Sequence, residues 1–373
     1  MRVFVSLNAQ GRRPAGKAAA VLGIAVFVSS AAISMGQEKT AKIRLGAGVE
    51  IGRKDLLFSS IASVCEDDQA NFFVLDRLEH KVFKFSPDGR LLAQFGQKGQ
   101  GPGDFQSPGQ IVFTSQYELA VLEDLYYVSF HKTDGTFIRR LDLNGRLGLG
   151  FIGPDRFYAW VWRPADQQQV MVDANNNVLA AFHSIAKDQF SVNLPDETGR
   201  AVMFNASNDA YVPRFLFACG GPLSVIGISD RYDLRLFDET GREIARVERD
   251  LKPQKFSGKE MAFLKGELRA FAKSKGWPGR VARELAKKIP AHKNMIKDVR
   301  ISPRNILVFR LPRDISAKAT LFPVDVFTLE GEFLGTGELA DIPILASGKT
   351  MYFVKADEAG NIFLVRTEYR MEF

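Results

Sequence analysis

An all-β ring of small four-stranded sheets is predicted by three observations. A hairpin motif recurs along the 373 residues, each copy turns on Gly or Asn, and a second hairpin precedes each first. The motif is clearest at Lys81-Val-Phe-Lys-Phe-Ser-Pro-Asp-Gly-Arg-Leu-Leu. It is answered 46 residues on by Tyr127-Val-Ser-Phe-His-Lys-Thr-Asp-Gly-Thr-Phe-Ile, so that Asp88-Gly89 matches Asp134-Gly135. Related segments begin at Gln169, Leu234 and Val324. Each is an apolar strand, a turn residue suited to positive φ, and a second strand, which is the pattern of a β-hairpin. The preceding hairpin shows in Cys65-Glu-Asp-Asp-Gln-Ala-Asn-Phe-Phe-Val-Leu and again in Lys355-Ala-Asp-Glu-Ala-Gly-Asn-Ile-Phe-Leu-Val. Two hairpins in series every ~40–50 residues make the four-stranded blade of a β-propeller.

The first 36 residues carry four basic side chains (Arg2, Arg12, Arg13, Lys17), no acidic one, and an apolar run from Ala18 to Met35. Ser34 and Gly36 are small residues at −3 and −1 of a cut before Gln37. This is the pattern of a secretory signal peptide over 1–36, the rival being a retained membrane anchor. The expected location is therefore outside the cytoplasm, periplasmic or extracellular, with no integral span after processing. Residues 37–373 then hold 46 basic and 43 acidic side chains, a net of +3.

Six blades are expected over 60–96, 109–142, 148–183, 213–248, 297–339 and from 349 on. The sixth offers strands at 350–355, 361–366 and 369–373 and lacks its outer one. Ala41-Lys-Ile-Arg-Leu45 is a spare strand-like segment ahead of blade one. Pairing 41–45 with 369–373 would close the ring and leave no unpaired blade edge.

The run Phe73-Val-Leu-Asp76, Lys81 to Phe85, Asp88-Gly89-Arg90, Phe95-Gly96, Gly99-Gln-Gly-Pro-Gly-Asp-Phe105 and Pro108 resembles six-bladed propellers of the NHL-repeat type. The resemblance is strongest over residues 71–113 and departs in blade three, where Asn175-Asn-Asn177 stands in place of Asp-Gly. It implies a ring fold and a binding or scaffold role, while a minority of related rings are lyases or lactonases.

With strands A to D running from axis to rim, A–B and C–D turns share one face, and B–C turns and D-to-A links share the other. The long segments 97–108, 184–212, 249–296, 310–321 and 340–348 are four links and one B–C turn. All are therefore expected on one face, and loops gathered on a face point to binding there.

The insertion between blades four and five is helical over about 256–292. Ser257 with Glu260 forms a capping box; Met261, Leu264, Leu268 and Phe271 recur at helical spacing. Gly276 suits a helix end, and Pro278 a second start, with Val281, Leu285 and Ile289 in line. Residues 249–297 hold 14 basic and 4 acidic side chains, a net of +10, leaving −7 on the rest of the mature chain. That segregation is expected to mark a packed helical pair with solvated lysines, a lid, or a surface for an anionic partner.

The chemistry is sparse. Of four histidines (80, 131, 183, 292) no two have metal-ligand spacing, and there is no Gly-x-Ser-x-Gly, phosphate loop or Cys-x-x-Cys. No catalytic residue, metal or cofactor is expected. Cys65 and Cys219 fall on first strands of opposite blades and should stay unbridged. The ligand rim is placed on the B–C turns: Arg77 and His80 beside Glu79, then Glu123 and Asp124, Trp162 and Arg163, Asp230 and Arg231. Asp67, Asp68, Asp357 and Glu358 are read as turn formers on the opposite face. The expected function is non-enzymatic binding of a protein, peptide or glycan through the loop-bearing face. The alternative is a lyase or lactonase working in the channel. Nucleic acid is not an expected partner of an exported protein.

Overall fold

The computed structural model describes residues 39–373 apart from 53–55, 115, 124–126, 144–146, 154, 155, 174, 176, 187–190, 196–200, 206, 207, 221, 222 and 318–320. The segment read as an export signal, 1–36, lies outside the described residues.

The chain enters along β1 (Lys42–Ile51) and then lays down its blades in order. Blade one is β2 (Ile61–Glu66), β3 (Phe72–Asp76), β4 (Lys81–Phe85) and β5 (Leu91–Phe95). Blade two is β6 (Pro108–Phe113), β7 (Leu119–Glu123), β8 (Tyr127–His131) and β9 (Phe137–Asp142). Blade three is β10 (Leu147–Gly153), β11 (Arg156–Trp162), β12 (Asp166–Asp173) and β13 (Val178–Ala186). A separate hairpin, β14 (Ser191–Pro195) with β15 (Ala201–Asn205), follows it. Blade four is β16 (Phe215–Gly220), β17 (Leu223–Ile228), β18 (Asp233–Phe237) and β19 (Glu243–Glu248). Helices α1 (Gly258–Ser274) and α2 (Gly279–Lys287) come next. Blade five is β20 (Ile296–Ile301), β21 (Ile306–Arg310), β22 (Phe322–Phe327) and β23 (Phe333–Leu339). The sixth sheet runs β24 (Leu345–Ser347), β25 (Thr350–Ala356), β26 (Ile362–Glu372) and, outermost, β1.

The innermost strands touch in a closed circuit: β2 on β6, β6 on β10, β10 on β16, β16 on β20, β20 on β24, and β24 back on β2. Lys42 stands opposite Glu372 and Leu45 opposite Tyr369, with a bulge before Gly48 meets Thr367. Just ahead of β1, Thr336 of β23 exchanges backbone hydrogen bonds with Lys39 and Ala41, both 2.9 Å, so the entering chain is held by two blades.

Six apolar clusters fill the six seams between blades. Strand β3 shows why the sequence there reads as an unbroken apolar run. Phe72 and Val74 pack into the seam with blade six, while Phe73 and Leu75 pack into the seam with blade two. Strand β21 divides in the same way, Ile306 and Val308 toward blade four, Leu307 and Phe309 toward blade six. Side chains alternate across a strand, and a blade buried on both faces needs both sets apolar. The C–D turns of blades two and five close on glycine at positive φ, +92° at Gly135 and +87° at Gly331.

Blade six corrects the strand assignment made from sequence. Its first strand is the three-residue β24, inside the stretch taken as a link, and 361–366 and 369–373 are parts of one strand. The turn at Asp357 is therefore B–C, not A–B, and lies on the face opposite Asp67. Both turns use the same device, an Asp side chain accepting from the residues two and four ahead. Asp67 accepts from Gln69 N at 3.0 Å and Asn71 N at 2.8 Å, and Asp357 from Ala359 N and Asn361 N at 2.9 Å each. That chemistry specifies a hairpin without specifying which hairpin of the blade it joins.

Candidate functional site

The described rim residues named from sequence lie in, or at the edges of, B–C turns. Arg77 and His80 lie between β3 and β4. That turn is organised by buried Asp76, which accepts from Ser59 N (2.6 Å), Ser60 N (3.0 Å), Leu78 N (3.1 Å) and Glu79 N (3.2 Å). His80 sits at φ +54° with Nδ1 3.1 Å from the carbonyl of Phe105, and Arg77 is exposed. Glu123 is only 1% exposed, which removes it from a solvent rim. Its carboxylate accepts from Gln106 N at 2.9 Å and from Arg140 Nη2 at 3.2 Å. Asp76 and Glu123 thus do one job, holding the link that arrives behind each blade. Asp124 lies outside the described residues, as does the side chain of Trp162, which closes β11. Arg163 is forked onto Asp166 at 2.7 and 2.5 Å, and Arg231 pairs with its neighbour Asp230 at 3.0 Å. Of the side chains described, those of Arg77, His80, Glu123, Arg163, Asp230 and Arg231, none lines the axial cavities described below.

The Gly99–Gly103 stretch is structural. Asp104 accepts Gly101 N at 3.0 Å, Phe105 N returns to Gln97 O at 2.8 Å, and Phe105 is fully buried in the seam between blades one and two.

The helical insertion is a built layer. Ser257 caps α1 by accepting Glu260 N at 3.2 Å, and Glu260 returns to Ser257 N at 2.9 Å. Leu264, Leu268 and Ala272 of α1 and Val281, Ala282 and Leu285 of α2 pack with Ala210, Tyr211, Leu311 and Ile289. Val192 and Leu194 of β14 and Ile315 flank the same cluster. Segments inserted after blade three, after blade four and within blade five therefore share one core. The layer is pinned by a buried ion pair. Lys293 Nζ meets Glu260 and donates to Arg313 O at 2.7 Å, while Glu260 also accepts Ile315 N at 3.1 Å. Burial alone would push the Glu260 carboxyl up. The Lys293 ammonium and the Ser257 and Ile315 amides outweigh it and hold the carboxyl below its ordinary range. Asn294 ties the layer to the ring by donating to Asp209 O (2.8 Å) and Val212 O (2.9 Å).

Along the axis lie two cavities, of about 680 and 320 Å³, both lined by Cys65, Val112, Cys219, Ile301 and Leu345. The larger opens among the A–B turns, the face away from the helices, with Glu66, Asp67, Asp68 and Glu239 at its mouth and Tyr117 beside them. Sequence reading missed this recess because its lining comes from separate blades. The two cysteines are free thiols. Burial, reinforced by the facing Cys219, pushes the Cys65 thiol well up, and burial pushes Cys219 to about 12. Among the described residues no three His, Cys, Asp or Glu side chains gather as a metal site.

Residues 52–218 match DUF5128, a family described as a 6-bladed beta-propeller. No curated protein matches the chain. Among solved structures it is similar to a Bacteroides fragilis protein described as exported, with TM-score 0.56 at 11% identity over 89% of this chain and 96% of that one. It is similar also to a member of the DUF4221 family from Bacteroides vulgatus, with TM-score 0.55 at 10% identity over 90% and 99%. At such identities the likeness is one of fold, and with the six closed seams it makes this chain a six-bladed β-propeller.

Proposed function

We propose that the protein is an exported, non-enzymatic binding propeller that engages a protein, peptide or glycan through the face carrying its long segments. One observation carries the reading: three insertions from separate places in the chain meet in one folded layer with its own core and a buried ion pair. Idle loops need no common core, whereas a preorganised surface lowers the ordering cost of binding. The basic, apolar and small-residue order of residues 1–36 supports export. The likeness to NHL-type rings over 71–113 supports a scaffold role.

The test uses the adjacency of the insertion's ends. Lys255 and His292 are bridge partners and Phe256 N bonds Ala291 O at 3.0 Å, so a short linker can replace 256–292. The full chain should capture a partner from envelope extract that the linker variant, with its ring still melting cooperatively, does not. Equal capture by both sinks the reading.

A second reading, a lyase or lactonase type of enzyme in the channel, is favoured by the axial recess with its carboxylates. Metal analysis of the purified protein separates the two, a stoichiometric divalent ion favouring the enzyme.

A further inference from the structure

We infer that the ligand of the helical layer is an acidic polysaccharide. This rests on the reading of the loop-bearing face as the binding face, and it names the partner's chemistry.

The first ground is unspent positive charge. Lys252, Lys255, Arg269, Lys273, Lys275 and Arg283 are exposed, and among the described contacts none of them has a carboxylate partner. Other cations of the layer are used internally: Lys259 on Asp314 at 3.0 Å, Lys287 on Glu284 at 2.8 Å, Arg280 on the carbonyl of Pro195. Residues 249–297, which include both helices, carry +10 and the rest of residues 37–373 carries −7, so a polyanion is drawn toward the helices and repelled by the remainder.

The second ground is shape. Lys252 and Lys255 stand just ahead of α1, Arg269, Lys273 and Lys275 stand at the far end of this 17-residue helix, which spans ~25 Å, and Arg283 is on the helix after it. Such a track suits an extended chain of repeating charge better than a single small anion.

The third ground separates a sugar chain from a lipid surface. Helix α1 spends its apolar stripe on the layer's own core, and its outward side presents Ala262, Gly266 and Ala270. A Cβ built on Gly266 would meet nothing within 4 Å. Phe263, 39% exposed, is the one exposed large apolar side chain of the two helices, too little to seat the layer in a bilayer. At the α1–α2 corner Phe271 and Trp277 meet edge to face, 5.4 Å between centroids and 85° between planes, both half-buried, with Lys275 Nζ 5.7 Å from the Phe271 ring. An aromatic pair beside an ammonium group that has no carboxylate partner among the described contacts offers one surface to the C–H face of a sugar and another to its carboxylate.

The test measures binding of polygalacturonate, amylose, duplex DNA and phosphatidylglycerol vesicles to the full chain and to the triple variant Arg269→Gln, Lys273→Gln, Lys275→Gln. These positions are exposed, so the variant should melt with the parent. The inference expects polygalacturonate to bind the parent, weaken at least tenfold in the variant, and show a shallower salt dependence there as fewer counterions are released. It expects amylose to bind neither protein. Equal affinity of parent and variant, or tighter binding of DNA or vesicles than of polygalacturonate, overturns it. Should polygalacturonate fail while the linker variant still loses its envelope partner, the polysaccharide falls and the binding face stands. Should both fail, the face falls as well.

Discussion

The carboxylate of Glu66, at the end of the innermost strand of blade one, accepts the hydroxyl of Tyr352 in blade six at 2.5 Å. It also takes Ser347 Oγ at 2.6 Å and Thr350 Oγ1 at 3.1 Å. Three hydroxyls from the last blade thus converge on one carboxylate of the first, at the seam where the ring meets itself.

Tyr352→Phe keeps the ring in its seam and removes one donor to a charged acceptor. A loss of about 2 kcal/mol is expected. Denaturant unfolding measures it, and an unchanged midpoint would mean that the hydroxyl does not hold the seam.

Gly331 sits at φ +87°, and a Cβ there would lie 2.3 Å from the carbonyl oxygen of Arg246 in the neighbouring blade. Gly331→Ala meets both a disfavoured backbone and a backbone clash, so a loss of about 2 kcal/mol or more is expected. Gly266→Ala, in open space on α1, should be neutral or stabilising. Thermal melts of the pair test the contrast.

The Glu260–Lys293 pair is 3% and 2% exposed. Lys293→Met leaves a buried carboxylate without its counter-charge and should cost about 3–5 kcal/mol in the helical layer. The folded carboxyl is held below its ordinary value. Its stabilisation is therefore complete above the unfolded value, ~4.3, and is lost as pH falls through the lower folded value. Trp277 fluorescence should report the layer loosening in acid in the parent. Lys293→Met should show that loosening already at neutral pH.

Much of the ring was legible because a blade buried on both faces leaves continuous apolar strands such as Phe72–Leu75, and because Asp88-Gly89 and Asp134-Gly135 mark the same turn twice. The capping box at Ser257 and Glu260 was legible for the same local reason. Blade six was misread because Asp357–Asn361 repeats the turn chemistry of Asp67–Asn71 in another hairpin. Its innermost strand, Leu345–Ser347, is also too short to show a period. The rim was legible only as a set of turns. Spacing cannot tell that Glu123 faces inward to Gln106 and Arg140, nor that Cys65, Val112, Cys219, Ile301 and Leu345 line one recess, since ring closure alone brings them together.

Cys65 and Cys219 are free, and their thiols are pushed up by burial, Cys219 to about 12. At pH 8 little thiolate is available, so reaction with a thiol reagent should be slow in the native protein and reach two equivalents on denaturation. Mass spectrometry showing a 65–219 bridge in native protein would contradict the placement of these strands.

Closure of the ring by the chain's own beginning is tested most directly by a crosslink. Ile43 and Met371 are directly opposed across β1 and β26, a separation that a disulfide can span. In the double variant Ile43→Cys, Met371→Cys, mild oxidation should give an intramolecular 43–371 bridge in nearly every molecule and raise the melting temperature. A folded protein that forms no such bridge, or forms it only between molecules, would contradict a last blade built from both ends of the chain.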